Sequence, residues 1–255
     1  MGAGRRSPSG KRKGGVKAHT LIKADEDVPL LIRLTPAASA DTGFMEKIQL
    51  PQGSIITFDK GYNNYKMLEL WGKQGISWVS RRRKPAILEE LENRELSKNQ
   101  IDNGVLSDKW CMMGHNHHAT TKIKVRLIAF YDKQNQRQFE FLTNNEEFSA
   151  LTIANVYKRR WQIETLFKRI KQNYPLKNFL GDSENAIKIQ IWCALIADLL
   201  LKIIQKQVER PWSFANLAGM VRLHLMTYIH LWDFLKHPEK ILSMHKQPMP
   251  SLFSP

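Results

Sequence analysis

Residues 153–171 read IANVYKRRWQIETLFKRIK and set Tyr157, Arg160, Glu164 and Lys171 at offsets of 0, 3, 7 and 14. At about 100° per residue, an α-helix through this stretch brings the four side chains within about 60° of one another. The spacing predicts one polar stripe: a phenol, a guanidinium, a carboxylate and an ammonium strung along about 20 Å of helix. Such a row suits a site that holds a metal and several phosphates together. Val156, Ile163, Leu166, Phe167 and Ile170 fill the neighbouring arc, so the helix can pack and still leave the stripe at the edge of the contact. Taken alone, the segment is equally an amphipathic surface helix with an intrahelical ion pair.

Upstream, residues 53–75 read GSIITFDKGYNNYKMLELWGKQG. Ile55, Ile56 and Phe58 form a short apolar β run that ends at Asp59, and a turn at Gly61 leads into a predicted helix over 65–71. An Asp at the C-terminal end of a strand is placed to meet a ligand or metal, because open α/β sheets bind at that edge. Its plainer role is a turn or a helix cap.

Together the two segments resemble the bacterial insertion-sequence transposases with an Asp-Asp-Glu active site, in the branch marked by Tyr-x2-Arg-x3-Glu-x6-Lys. Tyr157, Arg160, Glu164 and Lys171 match all four positions. Asp59, Gly61 and Tyr62 match Asp-x-Gly-Tyr, the pattern around that family's second catalytic Asp. Similarity runs from the basic loop near Gly10 to about Ile204 and takes in GGVKAHTLIKADEDVP, WVSRRR and the NFLG of residues 178–181.

The resemblance implies an α/β, ribonuclease H-like catalytic core. Residues 1–84 would form its N-terminal part after a basic loop, 85–148 a β-rich insertion, 149–181 the catalytic helix completing the core, and 182–255 a helical region and tail. It also implies Mg²⁺- or Mn²⁺-dependent phosphoryl transfer on double-stranded DNA, at the terminal inverted repeats of a mobile element and then at target DNA. Two ions are expected in the intact site. Asp59 and Glu164 would be two of three carboxylates that hold them, while Tyr157, Arg160 and Lys171 would grip phosphates near the cleaved end. In that branch the freed 3′-hydroxyl attacks the opposite strand to form a hairpin, which is reopened before strand transfer.

In the family the first catalytic Asp lies on a strand upstream of the one matched by GGVKAHTLIKA. Residues 1–15 contain no Asp and no apolar run, so that first strand is expected to be missing here. Asp25 and Asp27 precede Pro29 in a predicted hairpin turn and match nothing in the family pattern, so neither takes the role. The expectation is an impaired catalyst that keeps its affinity for DNA. The alternative is a non-catalytic DNA-binding or inhibitory fragment, acting as a homodimer on DNA or as a heterodimer with full-length transposase.

Composition agrees with a polyanionic partner. The 39 Lys and Arg against 24 Asp and Glu give a formal charge of +15 and a pI near 9.8, which disfavours acidic proteins and neutral ligands as partners. The charge is clustered at Arg5, Arg6, Lys11, Arg12, Lys13 and Lys17, again at Arg81, Arg82, Arg83 and Lys84, and around the signature at Lys158, Arg159, Lys168 and Arg169. Contacts from such clusters go mostly to phosphates and carry little sequence choice. For residues 1–14 a solvated tail explains the charge equally well. Cys111 and Cys193 are the two cysteines, so no disulfide framework is implied and a reducing cytoplasm, beside the nucleoid, fits. The most apolar stretch, residues 189–204, holds Asp198 and Lys202 and falls short of the roughly 20 residues a bilayer span needs. It reads as a buried helix, and no membrane partner is expected.

Along the chain, residues 16–24 and 28–34 predict a strand pair, then a short helical stretch near Phe44, and residues 76–80 a further strand. Beyond Pro85 the pattern predicts a charged helix over 87–96, then strands over 105–113, 122–131 and 138–142, with a polar DKQNQ turn between the last two. Residues 184–208 and 214–235 read as two long helices, followed by a loose tail from Pro238. Cys111, His115, His117 and His118 match no ordinary zinc spacing. Trp110 could stack on an extruded base if exposed, but a core role is favoured for it, as for Trp78 and Trp161.

Overall fold

The computed structural model describes residues 15–24, 26, 28–83, 86–114, 122–176 and 178–240. The chain divides into two compact units, residues 1–165 and 166–255. Asp25, Asp27, the N-terminal basic cluster apart from Lys17, and His115, His117 and His118 all lie outside the described residues.

In the first unit, β1 (Val16–Lys23) and β2 (Val28–Pro36) form an antiparallel hairpin. There follow α1 (Thr42–Met45), β3 (Ile55–Phe58), a 3-10 turn (Lys60–Tyr62), α2 (Tyr65–Lys73) and β4 (Ser77–Arg81). Next come β5 (Ile87–Asn93), α3 (Lys98–Asp102), β6 (Val105–Gly114), β7 (Lys122–Asp132), β8 (Arg137–Thr143) and α4 (Ala150–Lys158). Finally α5 (Trp161–Asn173) carries the chain into the second unit.

Strands β3 to β8 share one six-stranded sheet in the order β3-β4-β8-β7-β6-β5. Only β3 and β4 are parallel, and α2 supplies the crossover that a parallel pair needs. Residues 85–148, expected as an insertion, supply β5 to β8, which hydrogen-bond into the same sheet as β3 and β4. One face is packed by Phe58, Leu68, Trp71, Trp78, Cys111 and Met113. The other is covered by α4 through Ile153, Ala154 and Tyr157 against Val79, Ile128 and Phe141.

The charged helix expected over 87–96 is instead β5. Its Leu and Glu residues favour helix in isolation, but pairing with β6 from Ile87↔Gly114 to Asn93↔Lys109 gives its backbone a ladder. Lys109 and Lys122 meet Glu90 and Glu89 at 2.8 and 3.2 Å, and a charged last strand discourages further edge pairing.

A buried ion pair ties the sheet to α4. Arg126 on β7 is fully buried and meets Asp108 on β6 at 3.2 and 2.5 Å. The same guanidinium donates to the Asn145 and Phe148 carbonyls at 2.8 Å each. Those carbonyls sit just before Ser149, whose hydroxyl caps α4 by accepting from the Thr152 N–H. The start of α4, and with it the height of Tyr157, is therefore set from the sheet.

In the second unit, α6 (Glu184–Gln207), α7 (Phe214–His224) and α8 (Leu231–Lys236) follow α5. Arg169 on α5 grips Asp198 on α6 with two bonds, 3.0 and 2.8 Å. Val208, Leu217, Phe234 and Leu235 form a small core. The single helix expected over 214–235 is broken, because the Thr227 N–H and hydroxyl both donate to the His224 carbonyl, at 3.1 and 2.9 Å, and close α7 there. Nor is α6 buried all round: it buries Ala194, Leu195, Asp198 and Leu201 while its opposite side is open. Among the described residues no helix is long and apolar enough to cross a membrane.

Candidate functional site

Asp59 is the first residue past β3. The parallel register sets Phe58 beside Ser80, so Asp59 and Arg81 leave neighbouring strands at the same level, and Arg81 Nη2 donates to Asp59 Oδ1 at 2.8 Å. Behind this pair, Asn63 ties the turn to β4: its amide donates to the Arg81 carbonyl at 3.3 Å and its Oδ1 accepts from Ser80 Oγ at 2.8 Å. The Gly and Tyr of the Asp-x-Gly-Tyr motif have separate tasks. A Cβ on Gly61 would stand 2.8 Å from the Asp41 carboxylate, so any larger residue there would make that carboxylate shift. Tyr62 Oη meets His19 on β1 at 2.9 Å and docks the hairpin.

The signature residues do not lie on one helix. Between α4 and α5 the Arg159 N–H donates to the Val156 carbonyl and the Arg160 N–H to the Tyr157 carbonyl, at 3.2 and 3.0 Å. Gln162 and Ile163 repeat the pattern on Arg159 and Arg160. These i to i−3 bonds tighten the chain to 3-10 pitch, in which residues three apart eclipse. Tyr157 and Arg160 are thus aligned more closely than a continuous α-helix would allow, with the guanidinium carbon 5.7 Å from the ring centre. Arg160 Nη1 then reaches Glu164 Oε1 at 2.5 Å. Lys171 is exposed in the last turn of α5, two turns after Glu164 and within the second unit.

The structure therefore brings Asp59, Arg81, Tyr157, Arg160 and Glu164 together. Arg81 stands 5.9 Å from the Tyr157 ring centre, and both arginines act on Asp59. Burial pushes the Asp59 carboxyl up, but the hydrogen bond and charge of Arg81, with the Lys60 N–H and Arg160, outweigh it and hold the group below the ordinary Asp range. Burial raises the Tyr157 phenol against the pull of Arg160 and Arg81, so it stays a neutral donor. Tyr157 Oη, Arg81 Nε and Arg160 Nε are buried, yet none makes a hydrogen bond of normal geometry among the described residues. The two guanidiniums and the phenol act on one another, and together they make a cationic cluster whose chemistry suits an anion.

For a divalent cation the donor chemistry is right. Asp59 and Glu164 are hard oxygen ligands, each about two-fifths exposed, and each is neutralised by an arginine. Among the described residues no group of three or more His, Cys, Asp or Glu converges. Cys111 is buried in β6 and its thiol is pushed up chiefly by burial. Trp78 and Trp110 are buried in the core as expected. Trp161 is not: it is 61% exposed, with Arg160 5.6 Å from its ring centre. Sequence alone places Arg81 only in a basic cluster. The parallel pairing of the two flanking strands is the signal that sets it against Asp59.

A family model described as "Transposase DDE domain" matches residues 2–200. A putative transposase, y4zB, from Sinorhizobium fredii is 30% identical over 196 residues, covering 76% of this chain and 55% of that protein. A probable transposase for the insertion sequence element IS5377 from Geobacillus stearothermophilus is 26% identical, covering 80% of this chain and 53% of its own length. A putative transposase for the element IS4SA from Synechocystis is 29% identical over 173 residues. The chain spans about half the length of these curated relatives.

Proposed function

The chain belongs to the transposase DDE-domain family, and from this we propose that it is a DNA-strand transferase of an insertion sequence. In this reading the site at the end of β3 works on the phosphodiester backbone. The observation that carries the reading is the clustering of the Arg81 and Arg160 guanidiniums with the neutral phenol of Tyr157 beside two carboxylates. A phosphate oxygen is the anion that satisfies them, with the arginines supplying charge and the neutral phenol a directed hydrogen bond. Lys171 adds a further point charge for the same backbone, and Asp59 and Glu164 would hold Mg²⁺ or Mn²⁺. When bound, that metal lowers the cost of forming the attacking oxygen and of releasing the leaving one.

In this proposal the parallel pair β3–β4, with a carboxylate at its end and a second on the helix after the sheet, belongs to a ribonuclease H-like core of the Tyr-Arg-Glu-Lys branch. Asp59 and Glu164 are two of the three protein carboxylates that a site of this family uses for metal. A second reading, DNA binding without cleavage, is favoured by the arginine already seated on each carboxylate.

The deciding experiment incubates the purified chain with duplex DNA containing the ends of its element, in Mg²⁺ and then Mn²⁺, beside Asp59→Asn and Glu164→Gln. We expect salt-sensitive binding by all three proteins and metal-dependent nicking by the parent only, lowered at least about 100-fold in each variant. Binding without nicking by the parent selects the second reading. Nicking that survives both substitutions removes Asp59 and Glu164 from the chemistry.

A further inference from the structure

Asp198 is a carboxylate set in an apolar run of α6, between Ala197 and the leucines at 199, 200 and 201. Its side chain is 4% exposed and that of its partner, Arg169, 14%. Arg169 Nε and Nη2 each take one carboxylate oxygen, at 3.0 and 2.8 Å, a forked geometry that fixes the two groups in one plane. The guanidinium also lies 5.0 Å from the Phe214 ring centre. The proposed chemistry makes no use of this pair. Burying two charges is costly, and apolar side chains of similar volume often replace such a pair with stability unchanged or raised. What the pair supplies, and leucine with methionine could not, is direction.

Arg169 precedes Lys171 by two residues on α5, so the two side chains leave the helix about 160° apart. Leu166, Ile170 and Asn173 share the Arg169 side, within about 100° of arc, and Leu166 and Ile170 are buried. Lys171 stands on the open side with Lys168 and Gln172. Apolar packing is non-directional and leaves a helix free to turn a little about its axis, whereas the forked pair on the opposite side allows one setting. Arg222 on α7 adds a stop at the helix end, its Nη2 donating to the Asn173 carbonyl at 2.9 Å, one of the last carbonyls of a helix that have no partner within it.

We propose that Arg169 and Asp198 are positioning residues for Lys171: the buried pair fixes the rotation of α5 about its axis and so holds the Lys171 ammonium toward the DNA backbone. The proposal rests on the reading of Lys171 as a phosphate contact, and it accounts for a charge kept in α6 where a leucine would pack.

The test compares the full chain with Lys171→Ala, with Arg169→Met/Asp198→Leu and with all three changes together, each titrated with salt against a fluorescent duplex carrying the element ends. Lys171→Ala is expected to lower the slope of log affinity against log salt by about one. The pair variant, which keeps the parent's net charge, should lower it by the same amount, and the triple variant no further. A pair variant with the parent's slope overturns the proposal, as does a further drop in the triple variant. An unchanged slope in Lys171→Ala is instead the failure of the reading of Lys171, and the proposal falls with it. In urea the pair variant should unfold at the parent's midpoint or above it; a markedly lower midpoint makes the pair a structural tie and overturns the assignment. A second measurement needs no DNA: the distance between spin labels at Lys171→Cys and Lys206→Cys in a Cys193→Ser background. A narrow distance in the parent is expected to shift or broaden in the pair variant, and the same narrow distance in both overturns the proposal.

Discussion

Arg81 holds Asp59 ionised, and its removal should be visible first in that carboxyl's titration. Because the folded value lies below the ordinary one, the pair contributes stability that is present above the ordinary Asp range and is lost as pH falls through the folded value. In Arg81→Leu the Asp59 carboxyl is expected to titrate at higher pH than in the parent, followed by carbon-detected NMR. An unmoved titration would mean that Arg160 and the Lys60 N–H carry the effect. Tyr157 makes the complementary case. Since burial keeps its phenol protonated above the ordinary value of 10.0, DNA affinity should stay level between pH 7 and 9, as measured by fluorescence anisotropy. Tyr157→Phe should weaken affinity about tenfold at either pH, the worth of one hydrogen bond to a charged group. At the same scale, Gly104 has φ +97 and an added Cβ would stand 2.3 Å from the Tyr131 carbonyl oxygen. Gly104→Ala should therefore cost roughly 1–3 kcal/mol in urea unfolding.

At the scale of elements, the hairpin β1–β2 depends on a neutral imidazole. His19 is buried between Tyr62 Oη and Thr35 Oγ1, both at 2.9 Å. Burial lowers its pKa from the ordinary 6.5, against the pull of Asp41 and with help from Lys17 and Arg33. The unfolded chain therefore takes up the proton first, so stability is full above about pH 6.5 and falls as pH drops below it. The thermal midpoint should decline between pH 7 and 5 in the parent, and less steeply in His19→Gln. Much of this layer is legible from residue patterns. The hairpin, β3, α2, β4 and the strands β6 to β8 all announce themselves by apolar runs and turn residues. The failures have definite physical causes. The glutamates and leucines of β5 prefer helix locally, and only a neighbouring strand supplied from later in the chain makes them extended. A wheel drawn at constant pitch cannot show the 3-10 junction at Arg160, where the register between Tyr157 and Glu164 is set. The exposure of Trp161 follows from that same change of pitch, since it begins the next helix.

For the molecule as a whole, net charge and one buried cation act in opposite ways. Under the proposed function, the excess of basic residues would make DNA association fall steeply with salt, and removing one cation that pairs with a phosphate lowers the slope of log affinity against log salt by about one. Arg160→Ala should show that decrement, with urea unfolding followed beside it because the guanidinium is mostly buried against Tyr157 and Trp161. Arg126 is the reverse case, a charge with no solvent at all. Among the described residues, Arg126→Met leaves Asp108 with the 3.6 Å ion pair to Arg94 and strips two carbonyls of their Arg126 donor. It should cost about 3–5 kcal/mol in chemical denaturation. The parallel pairing of β3 and β4 also governs which changes of chain length the protein can survive. Deleting one residue within β4 would turn the side chain at the Arg81 level to the opposite face of the sheet and leave Asp59 without its cation. A deletion or insertion between α6 and α7 shifts no residue of that pair, whereas the stretch after β8 is tied to β4 by Asn144 and Asn145 and to the sheet by Arg126. Length variation among descendants of this chain should therefore collect between α6 and α7 and spare the strands that end at Asp59 and Arg81, together with the stretch after β8.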